Sequence, residues 1–160
     1  MGLTYMVGPA VLIPRFDTER LVEQALKLLE ELEHPTVLDV CTGSGAIALA
    51  ISHYKPQATV WAGDLSAEAL AIAAQNNEQC NTHVQFRQGD LLTPFSHLEG
   101  KLDLLTANPP YITTSEINEL PGDVLQEPRL ALWGGNDGLY FYRKLSAAAP
   151  KMLCSGGWIV

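Results

Sequence analysis

The sequence lacks any apolar segment long enough to cross a membrane. No uninterrupted apolar run approaches the ~20 residues of a transmembrane helix, although hydrophobic residues make up 47% of the chain and are dispersed along it. Residues 1–7 lack a basic region followed by a cleavage-like site, so the sequence predicts no secretory signal. The 160 residues suffice for one domain, spanning positions 1–160, with a packed core.

Cysteine is also scarce. The three cysteines, Cys41, Cys80 and Cys154, are far apart, and they show neither CxxC spacing nor histidine neighbours at metal-ligand intervals. These features argue against a disulfide framework and against a metal site. A chain of this kind is typical of the reducing cytoplasm.

Positive charge is the third property in short supply. The chain has 10 Lys and Arg against 18 Asp and Glu, which gives a net charge of −8. A surface this acidic repels phosphate backbones, which proteins bind through lysine and arginine. An excess of acidic residues most often serves only to keep a protein soluble. The negative net charge nevertheless argues against direct binding of nucleic acid.

What the sequence does contain is an alternation of strand-like and helix-like segments. The predicted strands are 36–40, 58–62, 83–87, 102–107 and an apolar run that starts at Trp158, just after a turn at Gly156-Gly157. The first predicted helix is capped by Asp17 or Thr18 and runs to about residue 32. The second runs from the glycines at 43–45 to about 54, and the third spans 67–77 with Ser66 as its cap. The last starts at Asp137 or Gly138 and runs to about 152, with Pro150 distorting its final turn. This order predicts an α/β fold with a mostly parallel sheet and helices on both faces. Functional residues are expected at the carboxyl ends of the strands.

A glycine-rich turn follows the first predicted strand. Its residues are Cys41, Thr42, Gly43, Ser44 and Gly45. Glycine at a strand-to-helix turn lets the backbone approach a ligand, and the helix start offers free N–H groups. The dinucleotide fingerprint GxGxxG would need glycine at position 48, which is Ala48. The turn therefore favours a ligand with an amino-acid end over a pyrophosphate.

Two further strand ends carry carboxylates. Asp64 lies about 20 residues beyond the glycine turn, the placement of a residue that binds ribose hydroxyls. Asp90, at the end of the third strand, could accept a hydrogen bond from the amine of adenine while Leu91 packs on the ring. Each alone is more often a turn or capping residue, but together they indicate a nucleoside pocket.

The fourth strand ends in a rigid corner. Its residues are Asn108, Pro109, Pro110 and Tyr111. Two successive prolines remove two N–H donors and fix φ near about −65°, and the first also keeps Asn108 out of the helical region. Such a corner offers acceptors to a planar NH₂ group and nothing to its lone pair. This pattern indicates a site that methylates an amide or amine nitrogen.

These residues together resemble the HemK/PrmC family of protein-(glutamine-N5) methyltransferases that modify peptide chain release factors. The resemblance runs from Val11 to Val160 and rests on Ile13-Pro14-Arg15, Asp17-Thr18-Glu19, the 39–46 turn, Asp64, Asn108–Ile112, Glu127-Pro128, Gly134-Gly135 and Asp137-Gly138-Leu139. It implies a Rossmann-like class I methyltransferase fold and the cofactor S-adenosyl-L-methionine. Cys41, where glycine is common in the family, and Phe16, where proline is common, depart from the pattern.

The resemblance also implies roles for the site residues. The turn 41–45 would wrap the methionine part of the cofactor, Asp64 would hold the ribose, and Asp90 with Leu91 would frame the adenine. Asn108, which is also expected to contact the cofactor, and the Pro109 carbonyl would accept hydrogen bonds from the glutamine amide, with Tyr111 lining its slot. The partner would be a release factor with a Gly-Gly-Gln loop, and no membrane or direct nucleic-acid partner is expected.

The family pattern includes parts that this sequence is expected to lack. These are an N-terminal helical domain that docks the release factor and the final strands of the sheet, so an exposed edge is expected. Alternative functions are methylation of a ribosomal-protein glutamine, an RNA or DNA amino-methyltransferase, and a non-catalytic cofactor-binding remnant. The role of Glu127-Pro128 and of Trp133-Gly134-Gly135, as loop architecture or as a lid, stays open at this point.

Overall fold

One parallel sheet forms the centre of the chain. The computed structural model describes residues 2–120 and 128–160, and its strands are β1 (Thr36–Val40), β2 (Thr59–Asp64), β3 (Gln85–Gln88), β4 (Leu102–Ala107) and β5 (Leu153–Ile159). The sheet order is β3-β2-β1-β4-β5. Every pairing between neighbours is parallel. The predicted parallel α/β sheet is confirmed.

Helices connect the strands and cover both faces of the sheet. They are α1 (Phe16–Leu28), α2 (Ala46–Tyr54), α3 (Ala67–Gln79), the short α4 (Arg129–Leu132) and α5 (Tyr140–Met152), with 3₁₀ segments at Thr93–Leu98 and Glu116–Asn118. The crossovers are long enough for a helix because parallel strands cannot be joined by a tight turn. No helix in the described part of the chain combines the length and apolar character needed to span a membrane.

The core lies in two layers, one on each face of the sheet. On one face, Val22 and Ala25 of α1 pack with the apolar side of α2 and with β1. On the other face, Leu145 and Ala149 of α5 pack with Phe95 of the first 3₁₀ segment. Burial on both faces explains why the central strands are almost continuously apolar.

The strand order reverses between β1 and β4. The chain winds from β1 through β2 to β3 in one direction, then returns to place β4 on the other side of β1. The connections leaving β1 and β4 therefore diverge to opposite faces and open a crevice at their carboxyl ends. Cys41 and Asn108 are the first residues beyond these two strands, so topology alone brings the glycine turn and the corner to the same edge.

The start and end of the first helix differ from the prediction. α1 begins at Phe16, directly after Arg15, and ends at Leu28. The prediction that Asp17 or Thr18 caps it is wrong, because Asp17 lies inside the first turn. There its carboxylate still complements the positive end of the helix dipole.

The last strand also differs from the prediction. β5 starts at Leu153, immediately after α5, and its register moves from Leu153 opposite Leu102 to Trp158 opposite Leu104. Gly156, with φ of +84°, lies inside this irregular stretch. The glycine pair therefore forms a bulge within the strand rather than a turn that precedes it.

Candidate functional site

A cleft opens at the carboxyl edge of the sheet. Its volume is about 1000 Å³ when measured to its open mouth. The predicted site residues that line it are Cys41, Thr42, Gly43, Ser44, Asp64, Asp90, Leu91, Asn108 and Pro110. Gly45, Pro109 and Tyr111 are not part of its lining. The structure therefore brings together residues from four strand ends that are far apart in the sequence.

The glycine turn is held by the neighbouring strand. The Thr42 amide donates to the Gly63 carbonyl at 3.1 Å, and the Gly43 amide donates to Asp64 Oδ2 at 2.9 Å. Gly45 lies behind the turn as the N-terminal cap of α2, with φ of +83°. A β-carbon at Gly45 would lie 3.2 Å from the Ala73 side chain of α3. This glycine serves the helix packing, while the residues before it face the cleft.

Asp64 supports two backbone segments and faces the cleft. Besides the Gly43 amide at Oδ2, its Oδ1 accepts from the Ser66 amide at 3.0 Å. Ser66 in turn caps α3, with its hydroxyl accepting from the Ala69 amide at 3.1 Å, as the sequence predicted. Because each carboxylate oxygen can accept a second hydrogen bond, Asp64 retains capacity for a ligand hydroxyl.

Asp90 and Leu91 lie on the cleft wall after β3. Leu91 has φ of +48°, a left-handed conformation that costs a non-glycine residue free energy and is concentrated at functional sites. Asp90 forms an ion pair with Lys144 of α5, with 2.7 Å between Nζ and Oδ2. No sequence pattern indicated this partner, which lies 54 positions away.

Cys41 also has a left-handed backbone, with φ of +57°. Its thiol is partly buried in the cleft lining, and burial together with the charges of Asp64, Asp39 and Asp90 raises its pKa to about 12. The thiol therefore stays protonated at neutral pH. This environment excludes Cys41 as a thiolate nucleophile.

Asp39 is a structural carboxyl that sequence reasoning did not single out. It is fully buried, and it accepts hydrogen bonds from Thr42 Oγ1 at 2.6 Å and from Thr106 Oγ1 at 2.8 Å. Burial, opposed by these hydrogen bonds and reinforced by Asp64, raises its pKa to about 7. Asp39 thus joins the end of β1 to the glycine turn and to β4. The signal for it was a charged residue inside an otherwise apolar strand.

Asn76 is a second residue that sequence reasoning missed. It is fully buried on α3, and its Nδ2 donates to the Ser44 carbonyl at 2.9 Å and to the Met6 carbonyl at 2.9 Å. Its Oδ1 accepts from the Met6 amide at 2.6 Å. The Asn76 side chain therefore holds the glycine turn and the N-terminal segment together through hydrogen bonds to both. The sequence feature that could have identified Asn76 is its position, because this amide side chain lies on the same face of the helix as Ala69 and Ala73.

The proline corner places its residues at different depths. Asn108 is half-buried and lines the cleft beside Pro110, and within the described residues its side chain has no hydrogen-bond partner. Pro109 is buried, while Tyr111 is 58% exposed on the outer rim. Asn108 is therefore the polar side chain of the corner that remains available to a ligand.

A glycine segment supports this corner from behind. A β-carbon at Gly134 would lie 2.5 Å from Tyr111 Cα and 2.7 Å from the Pro110 carbonyl oxygen. The Gly134 amide donates to the Ile112 carbonyl at 2.8 Å, and the Ile112 amide donates to the Leu132 carbonyl at 2.9 Å. Residues 133–135 are thus packed against the corner as architecture rather than placed over the cleft. Glu127, the other part of this predicted segment, lies outside the described residues.

The cleft is acidic. Among the described residues that line it, Asp64 and Asp90 are the charged side chains, and there is no lysine or arginine. Phosphate sites normally use cations, so the lining fits a ligand that carries positive charge and hydroxyl or amine donors. In the described part of the chain, no group of three or more His, Cys, Asp and Glu could hold a metal ion.

The comparisons with known proteins agree with this chemistry. The family model described as "Methyltransferase small domain" matches residues 17–127. The chain is 50% identical over 159 residues to the release factor glutamine methyltransferase of Moorella thermoacetica, covering 98% of this chain and 56% of that protein. It is 48% identical to the protein of the same name from Xylella fastidiosa (strain 9a5c), covering 99% of this chain and 57% of the relative. The chain thus spans about half the length of the curated relatives it matches.

Solved structures share the fold. The hMettl16 catalytic domain in complex with the MAT2A 3′UTR hairpin 1 matches with a TM-score of 0.75 at 16% identity, covering 95% of this chain and 58% of that one. A methyltransferase from Pyrococcus furiosus matches with a TM-score of 0.65 at 22% identity, covering 99% and 68% of the two chains. At these identities the likeness establishes a Rossmann-like class I methyltransferase fold.

Proposed function

Since the chain belongs to the methyltransferase small domain family, we propose that it catalyses S-adenosylmethionine-dependent methylation of a glutamine side-chain amide in a peptide chain release factor. The names of the relatives from Moorella thermoacetica and Xylella fastidiosa support this substrate. One structural observation carries the proposal. A single cleft joins an acidic, cation-free wall to a rigid corner whose Asn108 amide has no partner among the described residues.

The acidic wall suits the cofactor. S-adenosylmethionine carries a positive sulfonium and no phosphate, so the Asp64 carboxylate favours it electrostatically, whereas a dinucleotide would be repelled. Asp64 would accept from the ribose hydroxyls and Asp90 from the adenine amine, with Leu91 and Phe141 supplying apolar contact to the ring. The turn 41–45 would hold the amino-acid end.

The corner suits the substrate amide. Asn108 lines the cleft, and its Oδ1 would accept a hydrogen of the glutamine NH₂ group, which orients the amide nitrogen. The Pro109 carbonyl, expected as the second acceptor, belongs to a buried residue outside the cleft lining. When bound, the cofactor supplies an electrophilic methyl group that the nitrogen can attack in a direct displacement. The protein then contributes mainly positioning. No strong general base is needed before attack, because the nitrogen loses its proton more easily once it is methylated.

The charge of the chain disfavours the nucleic-acid alternative. The net charge is −8, and in the described lining no lysine or arginine is present to neutralise a phosphate backbone. A release factor in the cytoplasm is therefore the better partner.

A transfer assay tests the substrate. The protein is incubated with cofactor labelled on the methyl group and with a release factor that carries a Gly-Gly-Gln loop. Label is expected on the intact release factor and not on a variant in which this glutamine is alanine. Label that persists on the alanine variant, or that appears in added RNA instead, contradicts the proposal.

The Asn108→Ala variant tests the corner. We expect methyl transfer to be abolished while the cofactor dissociation constant, measured by calorimetry, stays within about threefold, since the amide acceptor contacts the substrate and not the cofactor wall. Gln85→Ala, at an exposed amide on β3, is the control and should transfer normally. A large loss of cofactor affinity in Asn108→Ala would contradict the role given to Asn108.

A further inference from the structure

Lys144 brings α5 into contact with the cleft wall. Its ammonium lies 2.7 Å from Asp90 Oδ2 and 5.3 Å from the centre of the Tyr140 ring. The ammonium therefore has two contacts, one to a carboxylate and one to an aromatic face, which together restrict where it lies. Lys144 is not itself part of the cleft lining.

The two oxygens of Asp90 differ in their surroundings. Oδ2 is bound by Lys144, whereas Oδ1 has no hydrogen-bond partner among the described residues. The backbone that carries Asp90 is also constrained, because its carbonyl accepts from the Thr93 amide at 3.1 Å and Leu91 is left-handed. One oxygen is thus anchored and the other is available on a fixed segment of the cleft wall.

We propose that Lys144 is a positioning residue for recognition of the base: it anchors Asp90 Oδ2 so that Oδ1 accepts a hydrogen bond from the 6-amino group of adenine. This inference rests on the proposed function, because it assumes an adenosine cofactor. The role of Lys144 is orientation rather than stability, since an ion pair this exposed contributes little to the free energy of unfolding.

The arrangement distinguishes adenine from a 6-oxo purine. Adenine presents an N–H donor at position 6, whereas hypoxanthine presents a carbonyl oxygen. A carboxylate oxygen held in place is attracted by the donor and repelled by the carbonyl. Without the lysine, the Asp90 side chain can rotate, so it loses the ordered contact with adenine and also escapes the repulsion by the 6-oxo group. Removal of Lys144 should therefore reduce the preference for the adenine ligand over the 6-oxo purine ligand.

Calorimetry with two ligands tests this inference. The ligands are S-adenosylhomocysteine and S-inosylhomocysteine, its 6-oxo counterpart, and the measured quantity is the ratio of their dissociation constants. We expect the wild type to favour the adenosine ligand by at least about tenfold, the worth of one hydrogen bond to a charged acceptor. In Lys144→Met we expect the adenosine ligand to bind about tenfold more weakly and the ratio to fall to about 2 or less. Lys144→Arg should retain the wild-type preference.

Lys151→Met is the matched control. Lys151 lies on the same helix and forms an exposed ion pair with Glu99, with 2.9 Å between Nζ and Oε1, but this pair is not part of the cleft lining. Both affinities should be unchanged in this variant. Thermal unfolding of each variant confirms that it folds, and Lys144→Gln replaces Lys144→Met if the latter does not.

The outcomes separate this inference from the function beneath it. If the wild type binds S-adenosylhomocysteine and Lys144→Met keeps the same preference for it, the role of Lys144 is refuted while the proposed function stands. If the wild type binds neither ligand, the proposed function fails and this inference with it. A smaller ratio in Lys144→Met, together with the wild-type ratio in Lys144→Arg, supports the role of Lys144 and the adenosine cofactor of the proposed function.

Discussion

At the scale of single residues, the cleft depends on buried polar side chains that do not line it. Asp39 holds Thr42 of the glycine turn and Thr106 of β4 through its two oxygens. It is surrounded by apolar core on β1, and its carboxyl group pays a desolvation cost when it ionises. Its protonation state therefore links the stability of the fold to pH.

The first prediction concerns this pH dependence. The folded-state pKa of Asp39 is raised from 3.8 to about 7, so the folded protein keeps the proton while the unfolded chain releases it. The contribution of Asp39 to the free energy of unfolding is thus fully present below about pH 4 and is lost as pH rises to about 7. Denaturant titrations give the free energy of unfolding of each protein at pH 5 and at pH 8. Between these two pH values, it should fall by roughly 2–3 kcal/mol more in the wild type than in Asp39→Asn. Equal falls in the two proteins would refute this account.

The second prediction concerns Asn76. Asn76→Ala removes the buried hydrogen bond to the Ser44 carbonyl and the part-buried hydrogen bonds to both backbone groups of Met6. A buried group left unsatisfied costs about 1–3 kcal/mol. We expect the free energy of unfolding to fall by about 3 kcal/mol and cofactor affinity to fall with it. Gln79→Ala is the control, because its exposed amide bonds the same N-terminal segment at Thr4, and it should change stability by less than about 0.5 kcal/mol. Equal losses in both variants would argue against a special role for the buried amide.

Sequence reasoning found nine of the residues that line the cleft and assigned no role to the buried polar residues that support them. The turn, Asp64, Asp90 and Asn108 follow strand ends, and parallel topology brings such ends together. Asp39 and Asn76 act on partners that are 67 and 70 positions away, and no local pattern encodes such pairs. The functions of the lining residues stay predictions until the binding and transfer experiments are done.

At the scale of elements, the corner after β4 is shaped by the segment that packs behind it. Gly134 lies against the backbone of Pro110 and Tyr111, and Gly138 lies against the Tyr111 carbonyl. The first turn of α5 continues this packing, since the Tyr140 amide donates to the Gly134 carbonyl at 3.1 Å. The position of Asn108 is therefore determined by residues that follow it by about a fifth of the chain.

The third prediction tests this support. Gly134→Ala would push a β-carbon into backbone atoms at 2.5–2.7 Å, and backbone cannot rotate away as a side chain can. A displacement of the corner by about 1 Å is expected to lower the rate of methyl transfer by about 100-fold, with cofactor affinity within a few-fold.

Gly8→Ala is the control for that experiment. Its β-carbon would meet only Ile72 Cδ1 at 3.6 Å, an ordinary contact, so both transfer and binding should be retained. Normal transfer by Gly134→Ala would show that the segment behind the corner does not set its position.

Helices and strands with a clear local sequence pattern were predicted correctly from the sequence. Segments whose conformation depends on tertiary packing were not predicted. The four longer helices and the strands β1 to β4 appear close to their predicted positions. The 3₁₀ segment Thr93–Leu98 was not predicted, because it is fixed by burial of Phe95 against Gly63, where a β-carbon would lie 2.6 Å from the ring. The bulge in β5 likewise depends on its register with β4.

At the scale of the whole molecule, the two edges of the described sheet differ. β3 is short and its four residues are mostly polar and exposed. β5 is longer, and Trp158 and Ile159 on it are 54% and 46% exposed. Charged, short edges resist pairing with other chains, whereas long apolar edges promote it. Within the described sheet, the β5 edge is therefore more prone to association than the β3 edge.

The fourth prediction follows from that asymmetry. Trp158→Lys should reduce concentration-dependent association of the 160-residue chain, as measured by sedimentation velocity, because a lysine on an edge strand opposes pairing. Gln85→Lys on β3 makes the same charge change at the other edge and should have no effect. If both variants associate to the same extent, the association surface is not the β5 edge.

The central place of β1 also sets an order of assembly during synthesis. Pairing of β1 with β2, and of β2 with β3, requires only the chain through Gln88, whereas the other side of β1 waits for β4. A nascent chain emerging from the ribosome can therefore build the strand ends at the glycine turn and Asp64 first. The corner at Asn108 joins them later, so the side of the cleft formed by the first three strands is built before the side that β4 contributes.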